Sequence, residues 1–78
     1  MRSGEWLKPG NRVRWISGGV LCEGTILQEY GVGIWPAGTR GAIVQLLDGS
    51  TRIVPLRAGS FELLLCQGLF GQEWRRVE

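Results

Sequence analysis

Apolar and polar residues alternate along several short segments of the chain, and a two-residue period is typical of half-buried β-strands. The first segment, residues 12–16, follows turn residues at 9–11. A Ser-Gly-Gly interruption at 17–19 separates it from a second β-like segment at 20–30. Gly24 stands alone inside that second segment, which predicts a bulge or a tight bend. The pattern therefore predicts two consecutive strands, the second of them strongly curved.

The strongest turn signal is Asp48-Gly49, which separates two further β-like segments at 42–47 and 50–54. Asp-Gly suits the positive φ angles of a two-residue type I′ turn. Such a turn would place Val44 opposite Ile53 and would assign each neighbouring side chain to one of two faces. The predicted core face collects Ala42, Val44, Leu46, Thr51 and Ile53. The opposite face is amphipathic, and we predict that it is an interface formed by Ile43, Gln45, Leu47, Arg52 and Val54.

The remaining segments complete an all-β prediction. Residues 31–41 carry three turn signals and are expected to form a loop that contains Trp35. Residues 55–60 suit one 3₁₀ turn, and residues 61–65 predict a last strand. We therefore predict a single SH3-like barrel of about five antiparallel strands, with the 3₁₀ turn before the last strand. The predicted bounds are an N-terminal extension at 1–9, the barrel at 10–66 and a C-terminal tail at 67–78 that packs on the barrel.

Four short stretches resemble the SH3-like barrels of the KOW and Tudor type. They are residues 7–15, 24–26, 48–50 and 54–56. The resemblance covers residues 7–65. It implies a fold more than a function, because this fold supports unrelated activities.

A narrower similarity is to the plasmid-borne type II dihydrofolate reductases, small SH3-like barrels that form a tetramer around a central pore. The similar stretches are residues 12–14, 17–18, 24–26 and 50–55. Of that family's pore-lining Gln-Ile-Tyr only Ile53 is retained, and Arg52 and Val54 occupy the other two places. Trp15 stands where a pore lysine is expected. The resemblance implies an oligomeric barrel, and a shared pore lined by Arg52 and Trp15 is one alternative for its function.

Length, charge and the distribution of apolar residues indicate the size of the core and the cellular compartment. A chain of 78 residues holds one domain with a thin core, so a ligand cavity would more naturally form between copies. The formal net charge of +2 is too small to predict nucleic-acid binding by itself. Residues 1–5 lack the apolar core of a signal peptide, and the longest apolar run, at 63–66, is too short to cross a membrane. We expect a cytoplasmic protein without membrane contact.

The residues that usually carry catalysis are scarce. The chain has no histidine, which removes the usual general base and the Ser–His and Cys–His nucleophile pairs. Cys22 and Cys66 are expected to be buried or half-buried structural thiols, although the sequence leaves a disulfide open. Two cysteines without histidine do not make a structural zinc site. We predict no metal, no cofactor and no catalysis by a single chain.

Tryptophan and arginine supply the remaining candidate contacts. Trp15 and Trp35 are candidates for a ligand or partner contact, because tryptophan is enriched at interaction hot spots. Arg14 and Arg40 join them, because guanidinium groups bind phosphates and stack on aromatic rings. A core tryptophan and ordinary solubility charge are the simpler interpretation. Nucleic-acid binding therefore stays an alternative that is not favoured.

The main hypothesis is a small non-enzymatic binding module. It acts through protein–protein contacts and forms a homo-oligomer through the amphipathic face of the 42–54 hairpin. An oligomeric reductase or ligand-binding barrel, and a nucleic-acid-binding SH3-like module, are the two alternatives.

Overall fold

The computed structural model describes residues 5–78 and contains only β-strands and one short 3₁₀ turn. The elements are the 3₁₀ turn Glu5–Leu7, β1 Arg12–Ser17, β2 Val20–Tyr30, β3 Thr39–Leu46, β4 Thr51–Arg57, β5 Phe61–Gly68 and β6 Gly71–Arg76. The strands form one antiparallel sheet in the order β4-β3-β2-β1-β5-β6. The all-β prediction is confirmed.

Three details of the predicted architecture differ. The described chain has six strands rather than about five, and the sheet is not closed, since β4 and β6 lie at its two ends. The sixth strand comes from the predicted tail, where only one apolar residue in 71–76 leaves no two-residue period to detect. The predicted 3₁₀ turn at 55–60 is absent, because β4 continues through Pro55 to Arg57 and a tight turn with Gly59 at φ 84° follows.

The bend in β2 does not lie at Gly24. The register of β2 against β3 shifts between Ile26 and Gln28, so the bulge is at Leu27. Gly24 is instead a point of close approach, because a Cβ atom there would lie 2.7 Å from the carbonyl oxygen of Gln45. The glycine is needed for the spacing between strands rather than for a bulge.

The β3–β4 hairpin has a three-residue turn instead of the predicted two-residue turn. The Gly49 N–H donates to the Leu46 carbonyl oxygen at 3.0 Å, and the Leu46 N–H donates to the Ser50 carbonyl oxygen at 2.7 Å. Gly49 has φ 90°, whereas no residue other than glycine has a positive φ in the described chain. This arrangement is a type I turn followed by a left-handed glycine. Ile53 therefore pairs with Ile43 and Val54 with Ala42, a shift of one residue from the predicted register.

The core lies on one face of the curved sheet. Val13 of β1, Ile26 of β2 and Val44 of β3 are fully buried. The complete set of buried apolar residues is Trp6, Leu7, Val13, Trp15, Ile26, Ala42, Val44, Val54, Leu56, Phe61, Leu63 and Val77. Trp6 and Val77 show that both ends of the described chain contribute to the core.

Candidate interaction surface

Five side chains form an apolar surface on the face of β2–β3–β4 that points away from the core, and we call it the outer face. Its members are Tyr30, Trp35, Ile43, Ile53 and Pro55. Ile43 and Ile53 lie directly opposite each other, and Gly41 lies opposite both Tyr30 and Pro55. Side chains that are opposite in neighbouring antiparallel strands share one face of the sheet. The register therefore places all four strand residues of the outer face together.

Trp35 is attached to the outer face from the 31–38 loop. Its indole Nε1 donates to the carbonyl oxygen of Tyr30 at 2.8 Å. The same ring lies against the backbone at Gly41, where any Cβ atom would collide with it. Trp35 is half-buried in this position. The absence of a side chain at residue 41 thus allows the indole to lie directly against the backbone of the sheet.

The predicted interface residues lie on two different faces of the sheet and in the turn. Ile43 is half-buried on the outer face, Gln45 is exposed beside it, and Leu47 is exposed in the turn. The prediction that Val54 lies on this face is wrong, because Val54 is only 3% exposed and belongs to the core. Ile53, which was assigned to the core, is 46% exposed. A register shift of one residue moves each β4 side chain to the opposite face.

Arg52 changes face with Val54. It lies opposite Val44 rather than Gln45, and it is exposed at the turn end of β4. Strand residues two apart share a face, so Arg52 and Val54 share the face of the core. Arg52 is consequently separated from Ile43 and Ile53 by the sheet itself.

Pro55 limits how a partner can approach β4. The Leu46 N–H donates to the Ser50 carbonyl oxygen, so 46 and 50 form a hydrogen-bonded pair. Bonded and non-bonded pairs alternate along an antiparallel ladder. By this alternation the Gly41–Pro55 pair is non-bonded. The Pro55 nitrogen therefore faces the open edge of the sheet. Because proline has no N–H, the row of outward donors is interrupted there. An added strand is disfavoured at this edge, whereas the outer face stays accessible.

A row of alternating charges crosses the other half of the sheet. Glu23, Arg14, Glu62 and Arg76 are successive cross-strand partners in β2, β1, β5 and β6. Arg14 Nε donates to Glu62 Oε1 at 2.8 Å, and its guanidinium carbon lies 4.4 Å from the centroid of the Trp74 ring. Arg12 forms an ion pair with Glu23 in the same row. Arg14, a predicted contact residue, is therefore already engaged by a carboxylate and an aromatic ring.

Arg40 and Trp15 are also engaged within the chain. Arg40 Nε donates to Glu29 Oε2 at 2.7 Å. Trp15 is buried in the core opposite Phe61 and Cys22. The four predicted contact residues lie on different elements: Arg14 and Trp15 on β1, Arg40 on β3 and Trp35 in the loop before β3. Their roles as contacts stay predictions.

A shallow groove lies near the start of β5. It has a volume of about 250 Å³. Its lining includes Arg14, Ile16, Leu21, Glu62 and Arg76. Pockets that bury small ligands usually enclose about 300–1,000 Å³. The groove is therefore small for a cofactor and resembles an open surface depression.

The described residues contain no group of three or more metal-ligating side chains. Cys22 and Cys66 are both free thiols; Cys22 is half-buried as predicted, whereas the prediction for Cys66 is wrong, because Cys66 is exposed near the end of β5. No helix within 5–78 has the length and apolar character needed to cross a membrane.

The hairpin turn beside the outer face contains Asp48, a carboxyl group that accepts two hydrogen bonds from one residue. Ser50 Oγ donates to Asp48 Oδ1 at 2.6 Å, and the Ser50 N–H donates to the same oxygen at 2.9 Å. These two hydrogen bonds, the hydroxyl bond first, hold the pKa of Asp48 below its ordinary value of 3.8. The ionised Asp48 thus stabilises the three-residue turn that determines the register of β4.

Comparison with known protein families, curated proteins and solved structures finds no match to this chain.

Sequence reasoning missed Ile53, Pro55 and Tyr30 as members of the outer face. The signal that identifies Ile53 is Asp48 followed two residues later by Ser50, because an Asp side chain that bonds the backbone two residues ahead favours a type I turn. Pro55 carries a second signal, since a proline inside a strand belongs at an edge with its nitrogen outward. The first signal indicates Val54 inside and Ile53 outside, whereas the second only places β4 at an edge of the sheet.

Proposed function

We propose that this chain is a small non-enzymatic binding module that self-associates through its outer face, on a fold related to SH3-like barrels. The observation that carries the proposal is the cross-strand pair Ile43–Ile53, which is flanked by Trp35 and Pro55; within residues 5–78 Ile53 is 46% exposed and Ile43 is half-buried. A contiguous apolar surface of this kind on a small soluble domain marks an interaction site. The four-strand meander with β5 returning beside β1 supports the SH3-like interpretation.

The polar groups of the outer face suit burial against a partner. The indole N–H of Trp35 already donates to Tyr30, so a partner that covers the ring leaves no donor without an acceptor. Tryptophan and tyrosine contribute large contact areas at a small cost in side-chain entropy. Trp35 and Tyr30 therefore provide anchors, and the isoleucine pair provides the apolar centre.

The partner packs face to face on the outer face. Pro55 disfavours the addition of a strand to β4, so main-chain pairing is not the mode of contact at this end of the sheet. A second copy that packs through the same surface gives a self-complementary, isologous contact, which closes without further growth.

Two alternatives receive less support. A shared pore of the type II reductase kind needs Arg52 and Trp15 to line it, but Trp15 is buried in the core of the single chain. Nucleic-acid binding receives less support because Arg12, Arg14 and Arg40 form ion pairs within the chain, which leaves the exposed Arg52 and Arg57 on β4 as its candidate phosphate contacts.

The test compares particle masses at micromolar concentration by light scattering. The natural chain is expected to be larger than one copy, and Ile53→Lys is expected to reduce the mass while the circular dichroism spectrum is unchanged. Leu69→Lys is the matched control, because Leu69 is 99% exposed in the β5–β6 turn, outside the outer face. Equal masses for the natural chain and Ile53→Lys would exclude the outer face as the self-association surface.

A further inference from the structure

The second open edge of the sheet, β6, differs from β4. In the described chain β6 pairs only with β5, and Gly71–Arg76 contains no proline. An edge strand with a continuous row of backbone donors and acceptors can pair with another strand. The edge at β6 is therefore competent for pairing, whereas the edge at β4 is interrupted by Pro55.

The hydrogen-bond pattern shows which β6 residues face outward. The Val77 N–H donates to the Phe61 carbonyl oxygen at 3.1 Å, so 61 and 77 form a bonded pair. Bonded and non-bonded pairs alternate, which makes Leu63–Arg75 bonded and Leu64–Trp74 non-bonded. Trp74 and Arg76 consequently direct their backbone N–H and C=O groups away from β5, toward the open edge.

The charges along β6 alternate in a self-complementary way. Glu73 and Arg75 flank Trp74 and share one face of the strand. Glu73, Arg75 and Arg76 take no part in the ion pairs found within residues 5–78, which join Arg12 to Glu23, Arg14 to Glu62 and Arg40 to Glu29. One acid and one base, equally distant from a central residue, are what an antiparallel copy of the same strand needs.

We propose that β6 pairs antiparallel with β6 of a second copy, about a twofold axis at Trp74. In this register Trp74 lies opposite Trp74 of the partner subunit, and their outward N–H and C=O groups form hydrogen bonds with each other. Glu73 lies opposite Arg75 of the partner subunit, and Arg75 lies opposite Glu73 of the partner subunit. The edge pairing therefore joins one apolar aromatic pair to two charge pairs of opposite sign.

The alternative registers are unfavourable. A twofold axis perpendicular to the sheet keeps each side chain on the same face in both copies. Opposing residues must share a face, so the axis lies between the two copies of one residue, which pairs with itself. Centring the pairing on residue 73 would oppose two Glu73 side chains, and centring it on residue 75 would oppose two Arg75 side chains. Like charges directly opposite each other destabilise a strand pair. The register centred on Trp74 avoids both and, unlike one centred on Gln72, pairs each Glu73 with Arg75 of the partner subunit.

A second copy is a better occupant for β6 than β4 of a neighbouring molecule. Thr51–Arg57 contains two arginines and no acid, so it offers no charge partner for Arg75 or Arg76. A β6-to-β4 contact is also heterologous and extends into an open filament, whereas β6-to-β6 pairing closes on itself.

Cysteine cross-linking tests the register. In a background with Cys22→Ser and Cys66→Ser, Trp74→Cys places two thiols opposite each other, with Cα atoms about 5.5 Å apart, within disulfide range. Glu73→Cys is the matched control, since residue 73 of each copy lies about 8 Å or more from its counterpart, outside that range. Rapid disulfide formation by the first variant and not by the second is expected. Equal rates would overturn the proposal.

Charge reversal provides a second test that keeps Trp74 intact. Glu73→Arg and Arg75→Glu should each weaken self-association through β6 about tenfold or more, because each replaces two attractive pairs by two repulsive ones. A mixture of the two variants, or the double variant, should restore it. Failure of either restoration would contradict the register.

The two surfaces are separable in these experiments. Ile53→Lys in the Trp74→Cys background should leave disulfide formation unchanged, because the outer face and β6 lie at opposite ends of the sheet. If Ile53→Lys leaves the mass unchanged while cross-linking at residue 74 proceeds, the proposed outer-face contact fails and β6 pairing stands. The reverse outcome removes β6 pairing alone.

Discussion

Ile53 and Val54 are neighbours in β4, and their side chains leave the strand on opposite faces of the sheet. Val54 is 3% exposed and packs in the core, while Ile53 is 46% exposed on the outer face. The identity of the two residues does not distinguish them, since both are β-branched and apolar. Their different roles arise only from the register of the strand.

Alanine substitution should separate these two roles. Val54→Ala removes two buried methyl groups and should lower the free energy of unfolding by about 2 kcal/mol. Ile53→Ala removes more atoms, but it should cost a single copy less than about 1 kcal/mol, because much of the side chain is already in water. Urea denaturation at a concentration low enough to favour single copies measures both. A larger loss for Ile53→Ala would contradict the register.

Gly41 gives a second prediction at the residue scale. Gly41→Ala would add a methyl group that collides with atoms of the Trp35 ring, so the indole must move away from the sheet. The expected cost is about 1–3 kcal/mol of unfolding free energy, with a shift of tryptophan fluorescence toward that of a solvated ring. Gly38→Ala is a control for strain without collision, because Gly38 has φ 84° and no atom lies near its Cβ position. It should destabilise the chain without that fluorescence shift.

The β3–β4 hairpin shows that a turn can determine the chemistry of an element. The three-residue turn at 47–49 makes Ile53 a surface residue, whereas a two-residue turn would have buried it. Asp48 holds this turn through its two hydrogen bonds from Ser50. The carboxylate is therefore linked to the position of the outer face.

The low pKa of Asp48 predicts a dependence of stability on pH. A carboxyl group whose pKa is lower in the folded chain contributes stability above its unfolded pKa, which is near 3.8, and loses that contribution as pH falls through the folded value. Asp48→Asn should therefore be less stable than the natural chain at neutral pH, and the difference should shrink below pH 3.8. Thermal unfolding at several pH values measures the difference. A difference that is constant with pH would show that ionised Asp48 is not responsible.

The sequence predicts the strands that alternate and misses the features that depend on backbone detail. The segments that became β1, β2, β3 and β4 are evident from their two-residue period, and the turn at Asp48-Gly49 is evident from composition. The number of residues in that turn is not evident from Asp-Gly alone, since that pair fits both turn types and only Ser50 after it favours the three-residue turn. The sequence does not predict β6 for another reason. Gly71–Arg76 is mostly polar, whereas the turn before it consists of the apolar residues Leu69 and Phe70. This is the reverse of the usual pattern of apolar strands and polar turns.

At the scale of the whole molecule, the open sheet formed by the described residues leaves two edges and an apolar outer face. The edge at β4 is protected by Pro55, and the edge at β6 carries complementary charges that favour the register centred on Trp74. A chain of 78 residues has a thin core, so burial of the outer face against a second copy adds apolar contact that the single chain cannot supply. Self-association and stability are therefore coupled in this account.

The outer face is tested most directly by a dilution series of amide and indole nuclear magnetic resonance spectra. From near-millimolar to low micromolar concentration, the signals of Ile43, Ile53 and the Trp35 indole N–H should shift together along one binding curve. The signal of Leu69, in the β5–β6 turn, should stay constant. Signals of the outer face that do not change with concentration would contradict self-association through this surface.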